Sequence, residues 1–132
     1  MTLVDSSVWI DFFSSKPGPG GDELDRMITA SEPLALAGVI VTEVLQGLRR
    51  DVAQVEHQLA LWDMLEPEGF ETYRRAADLV KLARSRGVAL TTIDSLIVTL
   101  ALESGAVLFT LDRDFQRIAA FTDLRIHEVP TN

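Results

Sequence analysis

Residues 108–115, Leu108-Phe109-Thr110-Leu111-Asp112-Arg113-Asp114-Phe115, form an apolar run that ends in two acids around one arginine. A short, continuous apolar run bounded by charge reads as a strand buried on both faces, and the strand portion is AVLFT, 106–110. The same pattern occurs twice earlier, at TLVD over 2–5 and at LALA over 34–37. Strands of this kind separated by helical segments predict an α/β fold with a central, mostly parallel sheet covered by helices on both faces. In such sheets the functional crevice lies beyond the carboxyl ends of the strands. Asp5 and the Asp112/Asp114 pair stand at two of those ends.

The segments between the strands carry helical spacing. SSVWIDFF opens a helix with Ser6 or Ser7 near its cap, and residues 14–21, SSKPGPGG, read as a loop. A short helix is expected over 22–30. Ile40, Val41, Val44, Leu45 and Leu48 repeat at helical spacing, as do Val52, Val55, Leu59 and Trp62. A further helix places Tyr73, Ala76, Ala77, Val80 and Ala83 on one face and ends near Gly87. Another runs from about 92 to 104 and stops at Gly105. A last short helix, FQRIAAF, precedes LRIHEV over 124–129, read as a final strand. No repeat or second domain is visible, so residues 1–132 are read as one domain.

Composition narrows the chemistry. With 132 residues, 47% hydrophobic and 24% charged, the chain fits one globular domain with a full core. No apolar run approaches the roughly 20 residues of a bilayer span, and the N-terminus lacks the basic flank of a signal peptide, so a cytoplasmic protein is expected. The absence of cysteine excludes thiolate chemistry, and two histidines far apart in sequence, His57 and His127, argue against a histidine metal centre. Any metal would be held by oxygen. The net charge of −8 opposes general nucleic-acid binding, yet arginines cluster at 49–50, 74–75 and 84–86 and leave room for local basic strips. Most of these arginines read equally as solvated helix faces.

Two more acids stand on helices without a local reason for their charge. Asp94 falls off the polar stripe of Ser95, Thr99 and Glu103, and its neighbours at three and four positions are Leu90, Thr91, Ile97 and Val98. Glu43 has Val39, Ile40, Gln46 and Gly47 around it. Each acid has a plain alternative: Asp94 in a capping box with Thr91, Asp5 or Asp112/Asp114 as helix caps, Glu43 as a solvated side chain. Taken together, four acids without bases, two at strand ends and two on helices, point to a cluster whose mutual repulsion a divalent cation would relieve.

At these residues the chain resembles the PIN-domain family, specifically the VapC-type toxins of prokaryotic toxin-antitoxin pairs. The resemblance runs through LVDSSVWIDFF, VTEVLQGLRR, TTIDSLIVTLALESGA and LFTLDRDF, nearly the whole chain. It implies an acidic quartet of Asp5, Glu43, Asp94 and Asp112, with Asp114 as an additional acid and Ser7 and Thr110 as small hydroxyls beside the site. It further implies an Mg²⁺- or Mn²⁺-dependent endoribonuclease acting on an RNA substrate. A homodimeric state and a VapB-type antitoxin, whose C-terminal tail lies in the catalytic groove, follow from the same resemblance.

Hard oxygen donors suit Mg²⁺ or Mn²⁺. Asp5, Asp94 and Asp112, with Asp114 and Glu43 beside them, are the expected metal set, and Glu43 is expected to orient or deprotonate the attacking water. Arg49, Arg50, Arg84, Arg86, Arg113 and Arg117 are candidates for phosphate contacts at the rim, and Arg113 alternatively pairs with Asp112 or Asp114. Phe12, Phe13, Leu45, Leu48, Leu61 and Trp62 are either core or a partner surface. Two other site types fit poorly. A phosphoacceptor domain needs a lysine after a late strand, where neither Lys16 nor Lys81 stands, and a D-x-S-x-S metal site would need serine where Trp9 stands. A catalytically inactive PIN-like interaction protein is the remaining alternative.

Overall fold

In the computed structural model, which describes residues 1–130, the strands β1 (Thr2–Val4), β2 (Leu34–Ala37), β3 (Asp63–Leu65) and β4 (Val107–Phe109) form one sheet in the order β3-β2-β1-β4. Every pairing is parallel, with Leu3 facing Ala35 on one side and Leu108 on the other. LALA is buried along its whole length, as is Leu3-Val4, which is why these strands read as apolar runs without alternation.

The connections explain the layers. The chain passes from β1 through α1 (Ser6–Phe12) and α2 (Pro19–Thr29) to β2, and then through α3 (Gly38–Gln46) and α4 (Val52–Leu59) to β3, moving outward in one direction. It then reverses through α5 (Phe70–Ser85) and α6 (Thr92–Ser104) to reach β4 on the far side of β1, before α7 (Asp114–Ala119). Right-handed crossovers in opposite directions put the two sets of helices on opposite faces. The expected α/β architecture is therefore the one observed. No helix among the described residues is long and apolar enough to cross a membrane.

Several expectations are corrected. The loop of 14–21 ends early: α2 starts at Pro19, because proline at the first helical position gives up an N–H that has no partner there anyway. Gly20 and Gly21 are buried inside that helix, and a Cβ at Gly20 would lie 2.5 Å from Leu111 Cδ2, so the absent side chain is what lets α2 approach the loop after β4. Helical spacing over 52–62 fails at its end, where Trp62 lies beyond α4 and leads into β3. That strand has only three residues, two of them exposed, and leaves no apolar run to read. On α5 the inward residues are Thr72, Ala76, Leu79 and Ala83, so Ala76 and Ala83 of the predicted face are buried, whereas Ala77 is exposed and Tyr73 is 54% exposed, their places taken by Thr72 and Leu79. The final strand over 124–129 shrinks to a single bridge, Leu108 to Ile126, with Leu108 N–H donating to Arg125 O and His127 N–H to Leu108 O.

The polar stripe of α6 is buried rather than solvated. Ser95 Oγ donates to Ala76 O on α5 at 2.6 Å, and Thr99 Oγ1 donates to Ser95 O at 2.7 Å. Small hydroxyls that satisfy themselves on nearby carbonyls let the two helices pack closely without an orphaned polar group. At the C-terminus of α6, Gly105 takes φ 68°, the left-handed conformation that ends a helix most readily at glycine. Of the apolar surplus, Phe12, Phe13, Leu45, Leu48 and Trp62 pack against the core, with Trp9 stacked on Phe13 at 5.8 Å. Only Leu61 stays outside, 67% exposed.

Candidate functional site

The shared direction of the strands brings their carboxyl ends to one edge, and Asp5 and Thr110 are the first residues beyond β1 and β4 there. Asp5 occupies the cap position of α1 but makes no side-chain capping bond. Its Oδ2 instead accepts from Ser7 Oγ and from Thr110 Oγ1, both at 2.9 Å. The two hydroxyls lie 3.4 Å apart and are themselves fixed by the loop after β4: Leu111 N–H donates to Ser7 Oγ at 3.0 Å and Asp112 N–H to Thr110 Oγ1 at 3.1 Å. A carboxylate only 5% exposed is thus held by neutral donors alone.

Glu43, half-buried on α3, accepts from Ser6 Oγ at 3.2 Å. Ser6 is the contact that sequence reasoning missed. The signal available was a pair of serines in the first turn after a strand-end acid, one for each of two carboxylates. Burial foremost, then the negative charge of Asp5, pushes the Glu43 carboxyl above its ordinary value; the Ser6 hydroxyl opposes this and Asp94 adds to it.

Asp94 is also pushed up, first by burial and then by the charges of Asp5, Asp112 and Asp114, against a hydrogen bond from Thr91. In the helix cap the backbone is served by threonine: Thr91 Oγ1 accepts from Asp94 N–H at 3.1 Å. The Asp94 carboxylate is not needed for that task. Asp112 is different, since its Oδ1 accepts from Asp114 N–H at 2.9 Å and so shapes the turn into α7, whose cap position is Arg113. Asp112 and Asp114 are exposed, and Arg113 makes no ion pair with either among the described residues.

The charges of Asp5, Asp112 and Asp114 thus bear on Asp94, and those of Asp5 and Asp94 on Glu43, while among the described residues none of the five acids forms an ion pair. Among the described residues no three His, Asp or Glu side chains stand close enough to cage an ion by themselves. That looseness suits a small hard cation that keeps several of its waters and takes one or two carboxylates directly. Two carboxyls raised first by burial and then by unneutralised neighbours, in an all-oxygen donor set, fit such a cation.

The arginines divide. Arg26 pairs with Glu23 and Glu32, Arg74 with Glu71 and Asp78, and Arg75 with Glu68 and Glu103. Arg86 lies over the Phe121 ring. Arg49, Arg50, Arg84, Arg113 and Arg117 make no ion pair among the described residues.

Residues 2–121 match the PIN domain family. Ribonuclease VapC11 of Mycobacterium tuberculosis is 29% identical over 129 residues, spanning 95% of this chain and 96% of that protein. Among solved structures, FitAcB from Neisseria gonorrhoeae superposes with a TM-score of 0.72 at 19% identity, covering 97% of each chain. A toxin-antitoxin complex from Klebsiella pneumoniae superposes equally well, TM-score 0.72 at 21% identity, over 96% of this chain and all of the matched one. At those identities the structural likeness speaks for the fold.

Proposed function

The chain belongs to the PIN domain family, and from that premise we propose that it is a divalent-metal-dependent endoribonuclease, the toxin of a toxin-antitoxin pair. The observation that carries the reading is the cluster of acids at the carboxyl ends of the strands, in which Asp5 and Glu43 are held by hydroxyls alone and Glu43 and Asp94 are raised above their ordinary values by burial and by neighbouring acids. The 29% identity to a VapC ribonuclease over nearly the full chain supports the activity. The likeness to a toxin-antitoxin complex supports an antitoxin partner; in this reading that partner is a VapB-type antitoxin with its C-terminal tail in the groove, and the protein is a cytoplasmic homodimer.

In this reading Asp5, Asp94 and Asp112, with Asp114 beside them, hold Mg²⁺ or Mn²⁺. A bound divalent ion supplies the positive charge that water activation and in-line phosphodiester displacement require. Glu43 takes the proton of the attacking water, a task suited to a carboxyl whose affinity for protons has been raised. Ser6 orients Glu43, and Ser7 and Thr110 orient Asp5, so both carboxylates are aimed by donors that leave their charge intact.

The test is incubation of total cellular RNA with purified protein in Mg²⁺, Mn²⁺ or EDTA, beside an Asp94→Asn variant whose thermal unfolding is checked. Discrete fragments that need both the metal and Asp94 are the expected result. Intact RNA with a folded, Mn²⁺-binding protein would move the reading to the inactive interaction protein.

A further inference from the structure

Ser6 and Glu43, joined by a hydrogen bond beside the acids, stand on α1 and α3. Phe13 follows Ser6 by seven residues and Gly47 follows Glu43 by four, spacings that return to the same helical face. Phe13 and Gly47 line a cleft of about 400 Å³ with Leu48, Arg49, Arg50 and Gln54. Since α1 and α3 pack together and end at Phe13 and Gly47, this cleft lies at their C-terminal ends, about 6–10 Å along the helices from Glu43 and Ser6 by the rise over four and seven residues.

Its chemistry is the opposite of the acid end. Arg49 and Arg50 are exposed and make neither a hydrogen bond nor an ion pair among the described residues, in a protein of net charge −8 that pairs Arg26, Arg74 and Arg75 with acids. Asp51 is the one acid in the lining, and Gln54 and Gln58 add neutral donors, so the cleft keeps a net positive charge. Phe13 adds an aromatic ring at the wall.

We infer that this Arg49–Arg50 cleft binds a backbone phosphate of single-stranded RNA and so holds the chain while another phosphate, about 6–10 Å away along the helices, meets the acids. The inference rests on the ribonuclease reading and adds to it a place where an acidic protein grips a polyanion. Arginine forks suit phosphate oxygens, and an aromatic wall with amide donors suits an unstacked base.

The experiment measures binding of a fluorescein-labelled oligouridylate in EDTA, where turnover stops, across a salt series. Arg49→Ala/Arg50→Ala should weaken binding roughly tenfold and flatten the log–log salt dependence by about 0.7, the share of one lost phosphate contact. Arg49→Lys/Arg50→Lys should keep most of the salt dependence, and Lys81→Ala on α5, the control for net charge, should leave it unchanged. All variants are checked by thermal unfolding, and RNA cleavage by wild type in Mn²⁺ is measured in parallel. A wild type that cleaves RNA beside a double variant with unchanged affinity and salt slope overturns this inference alone. A wild type that neither binds nor cleaves RNA removes the ribonuclease reading and this inference with it. If the double variant keeps the oligouridylate but loses an oligoglutamate peptide, the cleft serves a protein ligand and the RNA assignment is wrong.

Discussion

Glu23 and Asp5 are equally buried, each 5% exposed, and they live in opposite surroundings. Glu23 on α2 receives Arg26 and has His127 Nε2 at 2.6 Å; the Arg26 hydrogen bond, helped by His127 and opposed by burial, holds its carboxyl below the ordinary range. Asp5 receives two hydroxyls and, among the described residues, no cation, and its charge adds to the burial that raises Glu43 and Asp94 nearby. An acid that serves the fold comes with its own counter-charge. The acids of the cleft have been left without one, and their local cost falls when something cationic arrives.

The largest effect expected from this contrast is on catalysis. On the proposed metal-binding role, Asp5→Asn should lower RNA cleavage by about 100-fold or more, beyond the 10–100-fold typical of groups that merely support a ligand, with no fall in the metal-free thermal midpoint. A large loss of stability with activity kept per folded molecule would break the comparison, because Asp5 would then be structural. Glu23→Ala should do the reverse. Removing the carboxylate leaves His127 without its partner and should cost about 1–2 kcal/mol, read as a shift of the urea midpoint, while cleavage stays near wild type.

A smaller effect separates the two regions by pH. The folded-state values of Glu43 and Asp94 lie above their ordinary 4.5 and 3.8, so the folded state holds those protons more tightly than the unfolded chain. Their contribution is complete below those ordinary values and is lost as pH rises through the raised ones. Glu23 runs oppositely: its value is depressed, so its contribution is present above 4.5 and lost as pH falls through the folded value. In EDTA, Glu43→Gln should abolish part of the loss on the alkaline side of 4.5 and leave the acid side unchanged. Denaturant titrations across pH with and without Mn²⁺ measure this, and the same pH slope in Glu43→Gln as in wild type would count against the repulsion.

What could be read from the residues alone follows the same division. Strands buried on both faces announce themselves as unbroken apolar runs, so β1, β2 and β4 were legible, and their carboxyl ends pointed to Asp5 and Asp112. Asp63-Met64-Leu65 was not legible, because a three-residue strand with two exposed side chains carries no periodic signal. Pro19-Gly20-Gly21 read as a loop by local preference, and tertiary packing against Leu111 and Phe12 overrode it. Asp94 and Glu43 stood out by the missing bases around them. Their shared environment was not visible, since it depends on Ser6 and Thr110, brought together from opposite ends of the chain.

The short contact of the C-terminal segment with β4 makes the sheet asymmetric as a template. Leu108 spends both its outward N–H and its C=O on residues 125–127, so the β4 margin offers a newcomer nothing at its centre. At the opposite margin, β3 pairs only with β2 among the described residues, and Met64 stands 41% exposed beside Asp63. An extended peptide seeking backbone partners finds them on that side alone, and there it meets an edge three residues long with an acid at its start, too brief and too charged to propagate.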